Sequence, residues 1–407
     1  MGEILFLAHR APWPPNRGDK IRSHHFLQKL MDCAPVHVAC FADDENEKQT
    51  GWDRKAELAS CEIVVRNKPK WRAGIEALAS GKPVSLVSFE SVQISTYVAQ
   101  AIDTCRIDCI FVFSGQMAQF IPPEFAGRVV MDFADVDSAK FESYADEGSG
   151  PMAWINRREG RLLRTFEKTV AGRADHSLFV SEAEALLFRQ RSGLSAEQVK
   201  AVGNGIDLEF YGSREVQPEA SVNNGPLILF TGQMDYQPNV QAVQSFSTEV
   251  MPNILAHFPD ARFAIVGRAP SEKVTQLDGR NGTIVTGAVD DIRSWIAAAD
   301  VVVAPLRIAR GIQNKVLEAM AMAKPVVASA CAAEGIEAND DEHFLIAQSV
   351  AEEARLVCDL LGDPERAGQL GEQARSLIHS HYSWETQLVD LSSLCGFQNP
   401  AIAEAVA

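Results

Sequence analysis

Short apolar runs and helix-length amphipathic stretches alternate along this chain in two rounds, and that alternation limits its fold more than any other feature. Strand-like runs fall at residues 4–8, 36–40, 63–65, 109–113, 129–132 and 177–180, then at 227–231, 263–266, 283–285, 301–304, 326–328 and 344–346. Helical patterns lie between them, notably at 20–31, 90–102, 154–170, 240–255, 292–298 and 312–322. Continuous apolar strands separated by helices predict parallel sheets buried on both faces. The stretch 204–226 is polar and rich in turn residues, ending in Asn223-Asn224-Gly225-Pro226, and reads as a linker. The expected class is therefore α/β: two Rossmann-like, doubly wound parallel-sheet domains facing a cleft, the first over 1–203 and the second over 227–380. In such sheets ligands bind beyond the carboxyl ends of the strands, so motifs just after strands carry the functional information.

Composition removes other classes. With 38 Lys and Arg against 54 Asp and Glu, the formal charge of -16 argues against nucleic acid as a general partner. No apolar run reaches the roughly 20 residues of a membrane-spanning helix. The opening Met1-Gly2-Glu3-Ile4-Leu5 lacks a basic n-region, and we expect no signal peptide. Eight scattered cysteines form no Cys-x-x-Cys pair, so the expectation is reduced cytoplasmic thiols and no metal site. Neither Gly-x-Gly-x-x-Gly nor Gly-x-Ser-x-Gly follows a strand-like run, which removes the main support for a dehydrogenase or a serine hydrolase.

The densest motif runs from Pro305 to Val327. A buried strand ends at Pro305, a polar loop holds Arg307, Arg310 and Gly311, and a helix starts near Ile312. Free amides at a helix start favour phosphate. Lys315 in the first turn opposes the helix dipole unless an anion is present, and Glu318, three residues on, shares its face. A phosphate on Lys315 and a sugar hydroxyl on Glu318 suit a nucleotide; a surface i,i+3 salt bridge is the alternative. After the first strand, Arg17, Gly18, Asp19 and Lys20 form a second candidate anion loop, with Gly18 allowing close backbone approach and Asp19 capping a helix from Lys20. Its alternative is a plain strand-to-helix turn. Asp132, Asp135 and Asp137 crowd one loop, where they could hold a divalent ion, orient an acceptor hydroxyl and take its proton, or (Asp135 with Ser138) cap a helix. From Trp154 to Arg173, the stripe Arg157, Arg161, Arg164 and Lys168 suits anionic lipid as well as an ordinary solvated face. Arg66, Lys68, Lys70, Trp71 and Arg72 form a second basic patch.

The run Asn314-Lys315-Val316-Leu317-Glu318-Ala319-Met320-Ala321-Met322, followed by Lys324-Pro325-Val326-Val327, resembles the donor-site signature of the GT-B retaining glycosyltransferases of family 4 (group 1). Phe179-Val180-Ser181-Glu182, Val202-Gly203-Asn204-Gly205, Phe230-Thr231-Gly232, Ile265-Val266-Gly267 and Thr286-Gly287-Ala288-Val289 match further landmarks in order. The segments 12–22 and 131–140 resemble the sugar transferases associated with exosortase-linked (PEP-CTERM) exopolysaccharide loci.

The resemblance implies a GT-B fold, with a helix in 381–407 crossing back toward the first domain. It also implies transfer of a sugar with retention from a nucleoside-diphosphate sugar to a saccharide or polyprenyl-linked acceptor. Glu318 then holds the donor ribose and Lys315 its diphosphate. Gly311, Ile312, Gln313 and Asn314 supply backbone near the sugar and phosphates, Gly232 and Gln233 form the turn after the first strand of the second domain, and Val289 lies where the base is read. Two departures stand out. Arg310 replaces the first glutamate of the family's Glu-x7-Glu pattern, and the usual Arg and Lys after Gly232 are missing, so Arg310, Lys315 and Arg307 are expected to supply the positive charge. The family's metal independence favours the acceptor-hydroxyl role for Asp132 and Asp135, and no cofactor is expected. The loop of Arg17, Gly18, Asp19 and Lys20 is placed against donor phosphate and acceptor. The expected setting is cytoplasmic, with peripheral contact at the inner face of the membrane through Trp154 to Arg173. The alternatives are a GT-B nucleotide-sugar epimerase or hydrolase, and a silent nucleotide-sugar-binding component of a polysaccharide assembly complex.

Overall fold

The structure, a computed structural model, describes residues 2–212, 216–222, 225–309 and 312–398. The chain divides into two compact units: one from the start to Gly203 together with the segment from Leu388 onward, the other Asn204–Gln387. The first is built on a seven-stranded sheet of β1 (Glu3–Ala8), β2 (Val36–Ala42), β3 (Ser60–Val65), β4 (Ile107–Phe113), β5 (Arg128–Ala134), β6 (His176–Phe179) and β7 (Val199–Ala201), in the order β3-β2-β1-β4-β5-β6-β7. The second is built on six: β8 (Leu227–Thr231), β9 (Arg262–Val266), β10 (Thr283–Gly287), β11 (Val301–Ala304), β12 (Val326–Ser329) and β13 (Leu345–Ala347), in the order β10-β9-β8-β11-β12-β13. Every pairing is parallel.

The central strands are apolar along most of their length because both of their faces are covered. All five residues of β8 and all four of β11 are buried. Phe230 and Phe263 are fully enclosed, and Phe263 meets Phe246 at 4.5 Å between ring centroids. Each such ring contributes about 1.5–3 kcal/mol by leaving water. In both sheets the order reverses beside the first strand, at β1/β4 and β8/β11, and these are the switch points where a doubly wound sheet opens a crevice.

Two differences from the sequence pattern concern the chain's joints. The described part of 204–226 is not all free linker: Leu208, Tyr211 and Val222 pack on the core of the second unit. The return to the first unit starts at Leu388. There Leu391 and Leu394 are buried, Arg128 Nη1 donates to Leu394 O at 3.1 Å, and Cys33 Sγ lies 3.1 Å from Ser392 Oγ. Among the described residues no helix is long and apolar enough to cross a membrane.

Candidate functional site

In the second unit the switch point is lined by two glycine turns and one helix start. β8 ends at Thr231, and Gly232 (φ 157°) donates its N–H to Val266 O at 3.1 Å. A Cβ on Gly232 would stand 2.8 Å from Asn239 Nδ2 and 3.2 Å from Lys315 Nζ; one on Gly267 would stand 1.6 Å from Gly232 O. Only glycine lets these turns approach each other and the lysine so closely.

Lys315 lies in the first turn of the helix Asn314–Ala321, whose N-cap, Gln313, is extended and gives no side-chain cap. Its Nζ donates to Asn239 Oδ1 at 2.7 Å and sits 4.1 Å from the centroid of the Phe230 ring. Asn239 is itself buried and donates from Nδ2 to Gln233 O at 2.9 Å. The lysine's close neighbours are thus an amide oxygen and a ring face. Burial pushes its pKa down to about 7, and the charge of Glu318 offsets only part of that. Burial pushes Glu318 up, against a hydrogen bond from Tyr211 and the charge of Lys315. Asn314 Oδ1 is buried without a hydrogen-bond partner. Glu318 and Lys315 do not form an ion pair within 4 Å, although they stand three residues apart on one helix.

The other residues expected here divide. Gln233 is exposed, its Nε2 donating to Asp235 at 2.7 Å and its Oε1 accepting from Arg268 at 3.2 Å. Ile312 and Val289 pack partly buried against the core, and Gln313 is half-buried. Arg307 is engaged elsewhere, donating to Ser245 Oγ at 2.8 Å and facing Glu249 at 3.5 Å. Arg310 and Gly311 lie outside the described residues.

In the first unit the loop after β1 differs from its expected form. The helix runs Gly18–Met31, and its N-cap, Arg17, has no side-chain cap bond. Asp19 is not the N-cap but lies in the first turn, where its Oδ1 accepts the Lys20 N–H at 3.1 Å while its carboxylate also takes Arg10 at 2.5 Å and Arg17 at 3.0 Å. Despite its burial, His9 and these arginines hold Asp19 well below the usual carboxylate range. Lys20 is not displayed on the loop but fully buried, its Nζ 2.5 Å from Glu47 and 3.4 Å from Trp13 O. A Cβ on Gly18 would meet nothing within 4 Å, so no close approach within the protein requires this glycine.

The three aspartates do not converge. Asp132 is fully buried in a two-pronged pair with Arg22, 2.7 Å from Nε and 3.1 Å from Nη2, and also accepts the Ala134 N–H at 3.0 Å. Its oxygens are committed to holding the first helix on β5, which corrects the acceptor-base reading. Asp135 is exposed, while Asp137 is held near Gln116 at 3.4 Å, with burial pushing its pKa up. The cap reading of Asp135 and Ser138 also gives way: the N-cap of the helix Asp137–Glu147 is Val136, and Ser138 donates its N–H and Oγ to Glu167, at 2.9 and 2.6 Å. Among the described residues the one grouping with metal-ligand atoms near one another is Glu3, His37 and Cys105, within 4.8 Å, where His37 already contacts Glu3 at 2.8 Å and Ser60 at 2.7 Å.

On the helix Gly150–Ala171, Arg157, Arg161, Arg164 and Lys168 are exposed, whereas Glu159 and Glu167 are buried. Arg158, outside the stripe, donates to Ala77 O at 2.8 Å and Lys82 O at 3.2 Å. This joins the helix to Lys70–Ser80, which exposes Trp71, Ile75 and Leu78, while Met152, Trp154 and Ile155 are exposed at its own start.

Sequence reasoning missed Asn239 and Tyr211. Asn239 carried one usable signal, a polar residue after Pro238 at a helix start; Tyr211 carried none, because its stretch resembles a linker.

The comparisons with known proteins agree with this frame. Residues 225–363 match the family described as "Glycosyl transferases group 1". A phosphatidyl-myo-inositol mannosyltransferase of Propionibacterium freudenreichii subsp. shermanii is 27% identical over 246 residues, 58% of this chain and 60% of the relative. An alpha-maltose-1-phosphate synthase of Mycolicibacterium smegmatis is 31% identical over 251 residues, 54% of this chain and 62% of the relative. The chain thus spans about three fifths of the length of these curated relatives. Among solved structures, Anabaena Alr3699/HepE in complex with UDP superposes with a TM-score of 0.67 at 17% identity, covering 96% of this chain and 98% of that one. Sucrose-phosphate synthase from Thermosynechococcus elongatus gives 0.68 at 17% identity, covering 100% of both. At such identity these two likenesses establish the fold, GT-B.

Proposed function

We propose that this chain is a glycosyltransferase, since residues 225–363 match the group 1 glycosyltransferases and the fold is GT-B. The observation that carries the proposal is Lys315, an amine half-neutralised by burial, held between Asn239 and Phe230 beside Gly232, with Glu318 one turn further along the same helix. The donor is a nucleoside-diphosphate sugar. Lys315 and the free amides of the helix start meet the diphosphate, Glu318 takes the ribose hydroxyls, and the backbone near Val289 faces the base. A cation already in place where charge collects on the departing diphosphate lowers the barrier without reorganisation. We propose retention of the anomeric configuration and a hexosyl donor, for which the family resemblance is the support. No metal or cofactor is part of the reaction as proposed.

On the acceptor side we propose a saccharide or a polyprenyl-linked saccharide of exopolysaccharide synthesis, with the protein in the cytoplasm and in peripheral contact with the membrane through 154–173. What supports the contact is the exposed stripe of Arg157, Arg161, Arg164 and Lys168 beside Trp154, in a chain of net charge -16. Co-sedimentation tests it: binding to phosphatidylglycerol vesicles and not to phosphatidylcholine, lost when the three arginines become glutamates, is expected, and equal behaviour with both lipids removes the contact.

Thermal melting with UDP, GDP and ADP tests the donor site. A nucleotide at about 100 times its Kd adds roughly 2.7 kcal/mol of stability. That gain should appear with one nucleotide and vanish in Glu318→Ala and Lys315→Ala; no gain with any of the three ends the donor reading.

A further inference from the structure

The parallel sheet of the first unit brings together three side chains that the sequence keeps far apart. In the register of β1 and β2, Leu5 lies opposite His37, and in that of β2 and β3, His37 lies opposite Ser60. Register partners project to one face of a sheet, and Glu3, two residues before Leu5, shares that face. The helix Val92–Thr104 packs against β2 and β3, with the Tyr97 hydroxyl on Ser60 Oγ, and its C-cap is Cys105. The backbone fastens this corner to β1, the Glu3 N–H donating to Arg106 O at 2.8 Å. A carboxylate oxygen of Glu3, a ring nitrogen of His37 and the Cys105 sulfur therefore all lie within 4.8 Å of one another.

His37 is buried, with Nδ1 2.7 Å from Ser60 Oγ and Nε2 2.8 Å from Glu3 Oε2. A polar partner on the second ring nitrogen is the usual support of a ligating imidazole. Glu3 and Cys105 are only partly buried, so solvent reaches the group from their side. In tetrahedral zinc, with bonds of about 2.0–2.3 Å, adjacent donor atoms stand about 3.3–3.6 Å apart. The 2.8 Å pair and the 4.8 Å limit lie on either side of that value, and Glu3 and Cys105 can adjust by side-chain rotation. An ion pair of His37 with Glu3 is complete without a thiol; the third donor is what makes the set one for a metal. One sulfur, one nitrogen and one oxygen match magnesium and calcium poorly and suit a borderline-soft divalent ion. We propose that Glu3, His37 and Cys105 bind Zn(II), with water in the fourth position. On binding, the Cys105 thiol gives its proton to solvent and its sulfur forms the bond to the ion. The donors come from the amino-terminal ends of β1 and β2 and the turn before β4, whereas the crevice of such a sheet lies beyond the carboxyl ends. The ion is thus a clamp on the sheet and takes no part in sugar transfer.

The full chain, reduced and stripped with a chelator, is titrated with Co(II), whose spectrum reports its ligands. The expected result is one Co(II) per chain, with a near-ultraviolet thiolate band and visible bands of tetrahedral strength, all erased by Zn(II). Cys105→Ser should remove the thiolate band. Ser60→Ala, which frees His37 without touching a ligand, should weaken Zn(II) binding about 10- to 100-fold in calorimetry. Zn(II) should raise the melting temperature of the wild type and not that of Cys105→Ser. Glu3→Gln, a near-isosteric change at a partly buried position, should also weaken Zn(II) and keeps the test open if Cys105→Ser fails to fold. Absent bands, a thiolate band unchanged in Cys105→Ser, or equal Zn(II) affinity in wild type and variants overturns the proposal.

Discussion

Lys20 and Lys315 each lie in the first turn of a helix that follows a strand beside a switch point, β1 in one sheet and β11 in the other, yet the protein treats them in opposite ways. Lys20 is fully buried and meets the carboxylate of Glu47 at 2.5 Å. Lys315 meets a neutral amide at 2.7 Å, and its desolvation is left largely uncompensated, so its pKa sits near 7. A cation matched by a carboxylate is complete within the protein and serves the fold. One matched only by an amide and a ring face costs stability in the empty protein, and an arriving dianion removes that cost. The contrast separates two loops that read alike in sequence.

Crossed substitutions give the largest test. Lys20→Met strands Glu47 without its buried partner and should cost about 3 kcal/mol in chemical denaturation, while leaving the nucleotide Kd of the folded protein unchanged. Next comes Lys315→Met, which should lower kcat/KM for sugar transfer roughly 100-fold with a melting temperature equal to or above the wild type. If Lys315→Met unfolds the protein and Lys20→Met abolishes donor binding, the roles are reversed and the comparison fails.

Much of this was open to reading before the fold was known, for physical reasons. Strands buried on both faces announce themselves as unbroken apolar runs, so 227–231 and 301–304 coincide with β8 and β11. β7, Val-Lys-Ala at the sheet edge, has too few residues for any period. The pattern at 240–255 reads as one helix, whereas the chain forms Gln237–Ser245, a π turn at Phe246–Val250 and a fresh helical start at Met251–Leu255 with Pro252 in its first turn. Pro252 has no N–H for the regular ladder, and a widened turn before it accommodates the loss. At the site, Lys315 and Glu318 stand three residues apart on one helix, so their shared face is a matter of local geometry. The partners that define them are distant: Asn239 is 76 residues from Lys315, and Arg22 is 110 from Asp132. Spacing could flag the carboxylates near Asp132 but carried no sign of a guanidinium closing on one of them.

A smaller change would convert one lysine into the other. Asn239→Asp puts a carboxylate against Lys315 and gives it the pairing that Lys20 has. The new pair is offset by the lost hydrogen bond from Asn239 Nδ2 to Gln233 O, so stability should change little. Nucleotide affinity should fall roughly tenfold, because the diphosphate now competes with a fixed anion, about 1.4 kcal/mol. Unchanged affinity in calorimetry would mean that the amide is not what keeps Lys315 available.

The smallest effect is also the most specific. In the empty protein Lys315 titrates near 7, and a diphosphate beside it should return the amine toward its ordinary value. Between these two values the free protein carries less than one proton on this amine and the complex carries nearly one, so binding takes up a proton and weakens as pH rises. Unfolding restores the ordinary lysine value too, so this group's contribution to the stability of the empty protein has the opposite sign: it is unfavourable below pH 7 and recovers as pH rises past 7. At pH 8 the nucleotide phosphates are past their last ionisation, near 6, so proton uptake there belongs to the protein. Titrations at pH 8 in two buffers of different ionisation enthalpy should show uptake approaching one proton, with Kd weakening toward tenfold per pH unit. Both signals should be absent in Lys315→Met and strongly reduced in Asn239→Asp, whose carboxylate keeps the amine charged at pH 8 without any ligand. Proton uptake that persists in Lys315→Met would assign it to another group and leave Lys315 as quiet as Lys20.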